Sequence, residues 1–172
     1  MNCPHLRHLA ITYINLGNLG NPLKRIVNSL PHLASLEVRQ IACASVNSLG
    51  QLAELQDLTE LQDLTHLALS VHNTRGTGRR MAAVFSELHN LRKVTLQVSG
   101  RFLPSWLARF LPSWLASPLI CSDDFLPMLI TNNLRLEEVE LDAQIHVTSK
   151  MKAMLMRRGV TLRQEGRLLG YE

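Results

Sequence analysis

Acidic side chains alternate in the last quarter of the chain, at Glu138, Glu140 and Asp142. Carboxylates held close together are the usual apparatus of general acid–base chemistry. Residues two apart on an extended strand point to the same face, so the three acids would form one row. Alternating acids on an exposed strand are typical of a solvated or protein-binding surface. We therefore predict that this row contacts a partner and carries no catalysis.

The histidines and cysteines do not indicate a metal or nucleophilic site. The seven histidines form no His-Glu-x-x-His pattern, and the three cysteines form no Cys-x-x-Cys pair. His8 and His66 would lie two strands apart in a sheet, about 9–10 Å, which is too far for one zinc ion. Cys43 and Cys121 would be nucleophiles only beside a base, which the sequence does not place there. We expect no metal, no cofactor and no enzymatic activity.

A basic, glycine-containing loop, Thr74–Arg80, lies between a predicted strand and a predicted helix. Phosphates bind at helix N-termini in this context, but the loop lacks the Gly-Lys-Ser/Thr of a P-loop and the third glycine of a dinucleotide site. It predicts a flexible basic loop. An alternative function follows, binding to nucleic acid or an anionic membrane surface, with these candidate residues: Arg75, Arg79, Arg80, Arg157 and Arg158.

The octapeptide RFLPSWLA occurs twice in tandem, over 101–108 and 109–116. Its aromatic residues recur at steps of four, and on a helix they would form an apolar stripe suited to a membrane or a partner groove. Pro112 would break that helix. We predict an irregular hydrophobic insertion at about 99–122, in which Trp106 and Trp114 contact a partner if they are exposed.

Composition bounds the class of protein. Of 172 residues 33 are leucine, aromatic residues make up 5%, and the net charge of +4 is too small for a dedicated nucleic-acid binder. The length favours one domain with an aliphatic core. The first residues have no basic segment followed by an apolar one, and prolines with Arg109 interrupt the most apolar stretch, 101–121. These features predict a soluble protein of the cytoplasm or nucleus.

One phrase, L-x-x-[LV]-x-[LIV], recurs along the chain. It begins at Leu6, Leu33, Leu64, Leu91 and Leu136, so the starts are 27, 31, 27 and 45 residues apart. A second tandem duplication, ELQDLT over 54–59 and 60–65, lengthens the second interval, and RFLPSWLA lengthens the fourth. Without the copies the intervals are 27, 25, 27 and 37 residues. The second half of each phrase alternates with period two, as a strand with one buried face does.

Helical patterns separate these strands. Leucine at every third position from 49 to 67 does not form one face of an α-helix, so we expect a helix to about residue 61, a turn, and a strand from about 64. A sixth strand is predicted at Val160–Leu162 after the stop at Gly159. The other predicted helices are Pro22–Leu30, Arg80–His89 with Met81, Val84, Phe85 and Leu88 on one face, Asp123–Ile130, and Lys150–Arg158.

The alternation of strand phrase and helix over residues 4–163 resembles the leucine-rich repeat family. The resemblance implies a single solenoid domain over 1–172, with five or six irregular repeats and a curved parallel sheet with helices on its convex side. The asparagine or cysteine that usually follows the phrase by three residues is absent, because Ile14, Ile41, His72, Ser99 and Gln144 occupy that position. The ladder of buried hydrogen bonds that it supplies is therefore expected to be missing. The chain is similar to the repeat regions of F-box-type substrate receptors, although it contains no F-box.

The outward strand residues predict the binding surface. They form three columns across the sheet, His8–Ser35–His66–Lys93–Glu138, Ala10–Glu37–Ala68–Thr95–Glu140 and Thr12–Arg39–Ser70–Gln97–Asp142, with Lys93 beside Glu138. The hypothesis is a protein-interaction module that binds through its concave strand face, as a possible substrate-recognition fragment of a larger protein. An uncapped first repeat would also allow self-association at its edge. The candidate contact residues are Glu37, Arg39, Lys93, Gln97, Glu138, Glu140, Asp142, Trp106 and Trp114.

Overall fold

The computed structural model describes residues 3, 5–12, 14–15, 22–39, 41–42, 56–72, 77–99, 122–143 and 145–164. The strands within these ranges are β1 (His8–Ile11), β2 (Ile14–Asn15), β3 (Ser35–Val38), β4 (Ile41–Ala42), β5 (His66–His72), β6 (Lys93–Ser99), β7 (Glu138–Leu141) and β8 (Thr161–Gln164). The helices are α1 (Pro22–Ser29), α2 (Thr77–Glu87), α3 (Leu126–Asn132) and α4 (Ser149–Arg157), with 3₁₀ helices at Gln56–Glu60 and Ser122–Asp124.

Six of these strands form one all-parallel sheet in the order β1-β3-β5-β6-β7-β8. The predicted α/β class is confirmed, and so is the sixth strand, which extends two residues further than expected. The predicted register is also confirmed, because His8 pairs with Ser35, Ser35 with His66, and so on across the sheet. The first column is His8, Ser35, His66, Lys93, Glu138 and Thr161, and the second is Ala10, Glu37, Ala68, Thr95, Glu140 and Arg163.

A repeated turn just before each strand fixes this register. In every phrase but the one at Leu91, the first leucine donates its backbone N–H to the carbonyl three residues earlier, as Leu33 does to Leu30 and Leu64 to Leu61, both at 3.1 Å. The next carbonyl then accepts two successive amides of the neighbouring repeat. These shared bonds, 2.7–3.0 Å long, join Arg7 O to Ala34 and Ser35, Ala34 O to Thr65 and His66, Thr65 O to Arg92 and Lys93, and Arg92 O to Glu137 and Glu138.

Within the described residues, Leu58 of the row spaced by three lies in a 3₁₀ helix, and Leu61 and Leu64 lie in the turn after it. A helix was expected up to about residue 61. The structure has a 3₁₀ helix there, over Gln56–Glu60. A 3₁₀ helix has three residues per turn, so side chains three apart lie on one side of it. Leu58, Leu61 and Leu64 are accordingly all buried. The strand that follows begins at His66, two residues later than predicted.

The core lies between one face of the sheet and the helices. Inward strand residues such as Leu67 and Val94 belong to one buried cluster with residues of all four helices. The predicted apolar face of α2 is confirmed, since its members are all buried. Phe85 of this face also packs against Phe125, with ring centroids 6.0 Å apart. The buried residues of the α2 face are Met81, Val84, Phe85 and Leu88.

Helix α4 begins and ends at residues of suitable type. Thr148 is the N-cap, and its hydroxyl accepts a hydrogen bond from the Met151 amide at 3.3 Å. The predicted stop at Gly159 is confirmed, because this residue has a φ of 69°, which glycine adopts without the steric penalty of a side chain. These caps place the last turn of α4 directly before β8.

Three residues after the phrase, where the asparagine ladder of leucine-rich repeats is absent, the strands pair through their backbones. Ile14 pairs with Ile41 between β2 and β4, and His72 pairs with Ser99 at the end of the longer strands β5 and β6. At these two places the strands therefore remain hydrogen-bonded through their backbones beyond the strand phrase. This pairing is irregular, because β2 and β4 form a separate two-stranded sheet.

Candidate functional site

The outward columns of the six-stranded sheet form its polar face, defined by the twelve residues of the first two columns. Every one of these side chains is exposed or half-buried, whereas the alternate residues of β3, β5, β6 and β7 that face the helices are buried wherever their side chains are described. A sheet of parallel strands usually has both faces covered by helices. Within the described ranges this one is packed on one face and open on the other.

Glu138 lies at the centre of the charged part of the polar face. Its Oε2 is 3.4 Å from Lys93 Nζ on β6, and its Oε1 is 2.9 Å from Arg163 Nε on β8. Oε1 is shielded from solvent and accepts no hydrogen bond, so its contact with Arg163 is a charge contact without the alignment of a hydrogen bond. The carboxylate is therefore held between two cations from the flanking strands.

The other acids of the predicted row also have partners. Glu140 Oε2 accepts a hydrogen bond from Thr95 Oγ1 at 3.2 Å and lies 3.9 Å from Lys93 Nζ. Asp142 Oδ2 accepts the backbone N–H of Val98 at 3.2 Å, which ties the end of β7 to β6. The row is therefore not a bare acidic patch: cations lie beside it, and Asp142 also supports the backbone.

A second ion pair lies on the other side of the sheet centre. Arg39 Nε is 2.6 Å from Glu37 Oε1, both of them at β3. Between this pair and Lys93 lies β5, whose outward residue Ala68 is small and half-buried. Ser70, further along β5, is buried. The polar face therefore has charged residues on β3 and β6, on either side of β5, which contributes His66 and the short side chain of Ala68.

The structure thus brings four of the predicted contact residues together, Lys93, Glu138, Glu140 and Asp142. Gln97 is exposed on the same strand as Lys93, and Glu37 with Arg39 lies two strands away in the sheet order. Sequence reasoning missed Arg163, because the predicted sixth strand ended at Leu162. Continuing its period-two alternation by one residue would have placed Arg163 on the polar face. The predicted insertion at 99–122 lies outside the described residues except for its two end residues, and this part includes Trp106 and Trp114. Cys43 and Cys121 also lie outside the described residues.

Comparison with models of protein families, with curated proteins and with solved structures finds no match to this chain.

The turns before the strands carry a smaller polar cluster. His32 Nδ1 lies 2.9 Å from Asp63 Oδ2, and Arg7 Nη1 lies 3.7 Å from the same oxygen while donating to the His32 carbonyl at 3.0 Å. All three side chains are exposed. Each belongs to a different repeat, so the cluster joins three successive turns at the amino ends of β1, β3 and β5.

The basic residues of the alternative function do not form one described patch. Arg79 is exposed in the first turn of α2, while Arg158 donates to the Ile130 carbonyl at 2.9 Å at the end of α4. Near Arg79, a Cβ added to Gly78 would lie 2.7 Å from both the Cβ and Oδ2 of Asp124. The N-terminal end of α2 therefore already has a carboxylate of the same chain beside it. Arg75 and the side chain of Arg80 lie outside the described residues.

In the described part of the chain, the His, Cys, Asp and Glu side chains form no group of three or more that could hold a metal ion. None of the described helices has the length and apolar character needed to cross a membrane. A cleft between the turn at Leu61–Leu64 and the end of α2 has a volume of about 140 Å³, below the roughly 300–1,000 Å³ of small-molecule sites. The polar face is therefore the leading candidate site.

Proposed function

We propose that this chain is a non-catalytic protein-interaction module, that its partner binds the polar face, and that its fold is an irregular leucine-rich-repeat solenoid. The observation that carries the proposal is the open polar face of an all-parallel sheet in continuous register. Sheets of this kind bury an uncovered face when they assemble with another molecule. Repeat proteins use such extended surfaces for binding, since stacked repeats present equivalent positions side by side.

The repeat character of the backbone supports the solenoid. Successive repeats contribute strands in one register, the same backbone bond forms the turn before four of the phrases, and four carbonyls are shared between neighbouring repeats. Hydrogen bonds and apolar contacts run mainly from each repeat to the next, which is how a solenoid is stabilised. The missing asparagine position and the separate β2–β4 pairing make these repeats irregular.

The charge arrangement supports binding. Glu138 is paired on both sides by Lys93 and Arg163, and Glu140 accepts a hydrogen bond from Thr95. These carboxylates accept, and the side chains of Lys93, Arg163 and Thr95 beside them donate, so together they form one pattern of acceptors and donors. Such a pattern suits a partner that meets it with complementary polar groups, because electrostatic complementarity sets specificity at an interface.

The experiment uses the full chain with a photo-crosslinking amino acid at position 97, exposed on β6 next to the polar face, or, as control, at position 131 on the exposed side of α3. Crosslinking in extract of the source cells followed by mass spectrometry should identify a protein attached at 97 and absent at 131. The variant Ala68→Arg, which adds bulk at the centre of the face without removing a bond, should weaken binding of that purified protein at least tenfold. The control Thr131→Arg should leave Kd unchanged. Equal crosslinking at both positions, or an unchanged Kd for Ala68→Arg, would contradict the proposal.

A further inference from the structure

Large apolar side chains are exposed at one end of the helical layer. Leu134, in the turn after α3, is 79% exposed, Met156 in the last turn of α4 is 66% exposed, and Met128 on α3 is 48% exposed. The next in the described ranges is Leu6 at 36%, at the opposite edge of the sheet. Single exposed apolar residues are ordinary, but three on neighbouring elements call for an explanation.

The same elements carry positive charge only. Residues 126–136 and 149–159, which include α3, α4 and the turns that follow them, contain five basic side chains and no acid. In the described part of the chain none of the five belongs to an ion pair, and the nearest following acid, Glu137, is paired with Arg92 at 3.5 Å. The five are Arg135, Lys150, Lys152, Arg157 and Arg158.

The fold brings the apolar and basic groups together. Arg158 Nη2 donates to the Ile130 carbonyl at 2.9 Å, which holds the end of α4 against the end of α3. The strands are parallel neighbours, so the turns that precede β7 and β8 lie at the same edge of the sheet. On α4, Lys152 and Met156 are four residues apart and share one face. We define the basic–apolar corner as Leu134, Arg135, Lys152, Met156 and Arg157.

We propose that the basic–apolar corner docks on the surface of an anionic phospholipid bilayer. Acidic headgroups attract the unpaired cations, and the boundary of the acyl chains accepts Leu134 and Met156, so one partner satisfies both kinds of side chain. The phosphates of a nucleic acid would attract the cations, but they would not bury these aliphatic side chains. The corner lies on the helical side of the molecule, away from the polar face, so this inference does not depend on the protein-binding proposal.

The test is co-sedimentation of the full chain with vesicles of phosphatidylcholine alone or with 30% phosphatidylserine added. Wild type should bind the anionic vesicles and bind the neutral ones weakly. Arg157→Glu should weaken binding by about fivefold or more, since a cation near the surface contributes roughly that factor. Leu134→Ser with Met156→Ser should weaken it on the order of tenfold. Arg25→Glu on α1 and Leu6→Ser are the matched controls, and circular dichroism checks that each variant is folded.

Each outcome bears on the proposal. Losses confined to the corner variants support it. Absence of binding to anionic vesicles overturns it, and so does an equal loss in Arg25→Glu, which would show only general attraction to charge. Loss with the charge variant but not with the apolar pair would indicate a polyanion surface instead. Sedimentation equilibrium that shows self-association abolished by Met156→Ser would assign the corner to a second copy of this chain and overturn the lipid assignment.

Discussion

The Asn133 side chain supplies the acceptor for the Leu91 amide, which does not make the turn bond found in the other phrases. Leu6, Leu33, Leu64 and Leu136 each donate their backbone N–H to the carbonyl three residues earlier. Leu91 instead donates to Asn133 Oδ1 at 2.8 Å, while Asn133 Nδ2 donates to the Leu129 carbonyl at 3.0 Å. The side chain is buried, so both bonds form away from water. A single polar residue therefore holds α3 to the turn before β6.

Replacing Asn133 with alanine should cost about 2–3 kcal/mol of unfolding free energy, because the Leu91 amide would stay buried without an acceptor. Asn90→Ala is the matched control. Its side chain donates to the Gln62 carbonyl at 2.8 Å but is exposed, so water replaces the lost partner and the cost should stay below about 1 kcal/mol. Urea unfolding of both variants measures the difference. Equal costs would show that Asn133 has no special role.

Strands are held to one another by the ion pairs of the polar face as well as by their backbones. Lys93 on β6 reaches both Glu138 and Glu140 on β7, and Arg163 on β8 reaches Glu138 from the other side. Three strands are therefore joined by one group of charges. Glu138 is the most shielded member of this group, so its interactions are screened less than those of a fully exposed pair.

A double-mutant cycle with Lys93→Ala and Glu138→Ala should give a coupling free energy of about 0.5–1 kcal/mol, typical of opposite charges facing each other across a sheet. The pair of Arg92 and Glu137, 3.5 Å apart and more exposed, serves as the comparison. Its coupling should be near zero to about 0.5 kcal/mol. Thermal or urea unfolding at low salt provides both cycles. If the coupling free energy of Lys93 with Glu138 is no larger than that of Arg92 with Glu137, the prediction that the more shielded pair is stronger is wrong.

The sequence predicted the strands and their register because the recurring phrase carries both signals. Leucines such as Leu64 and Leu91 mark the turn, and the alternation after them assigns each residue to a face. It did not predict the 3₁₀ helix, since the spacing of three was recognised as unsuited to one α-helical face but led only to the expectation of a helix to about residue 61 and then a turn. Of the two partners of Glu138, Lys93 was predicted and Arg163 was not. Arg163 lies on β8, which pairs with β7 and extends beyond the predicted end of the sixth strand. Asn133 was not identified because its partner, the Leu91 amide, is 42 residues away in the sequence.

On the scale of the whole molecule, stability is expected to decline from the middle of the sheet to its edges. The inward residues of β5, β6 and β7 whose side chains the structure describes are buried, whereas Leu9 and Ile11 of β1 and Leu162 of β8 are only partly buried. The edge strands also pair on one side only in the described sheet. Self-association through the edge at β1 remains a prediction. In a repeat architecture such edges open before the centre does.

Hydrogen exchange under native conditions should therefore show the slowest amides in β5, β6 and β7, and amides of β1 and β8 exchanging at least tenfold faster. Mass spectrometry with peptic fragments resolves these segments. Leu67→Ala at the centre should cost about 2–5 kcal/mol, as for other buried leucines. Leu9→Ala should cost less, because less apolar surface is lost. Uniform protection across all six strands would indicate a single cooperative unit with no weaker edge.

The turn before each strand has a consequence for how this chain tolerates changes in length. Strand alignment is decided within about three residues ahead of β3, β5 and β7, by the turn bond and the shared carbonyl. The second ELQDLT copy ends at Thr65, whose carbonyl is itself one of these shared acceptors. A copied segment that carries its own alignment signal lengthens the connection and leaves the next strand in place. Length changes upstream that leave such a turn and the buried Leu58 and Leu61 intact are therefore expected to keep the next strand in register.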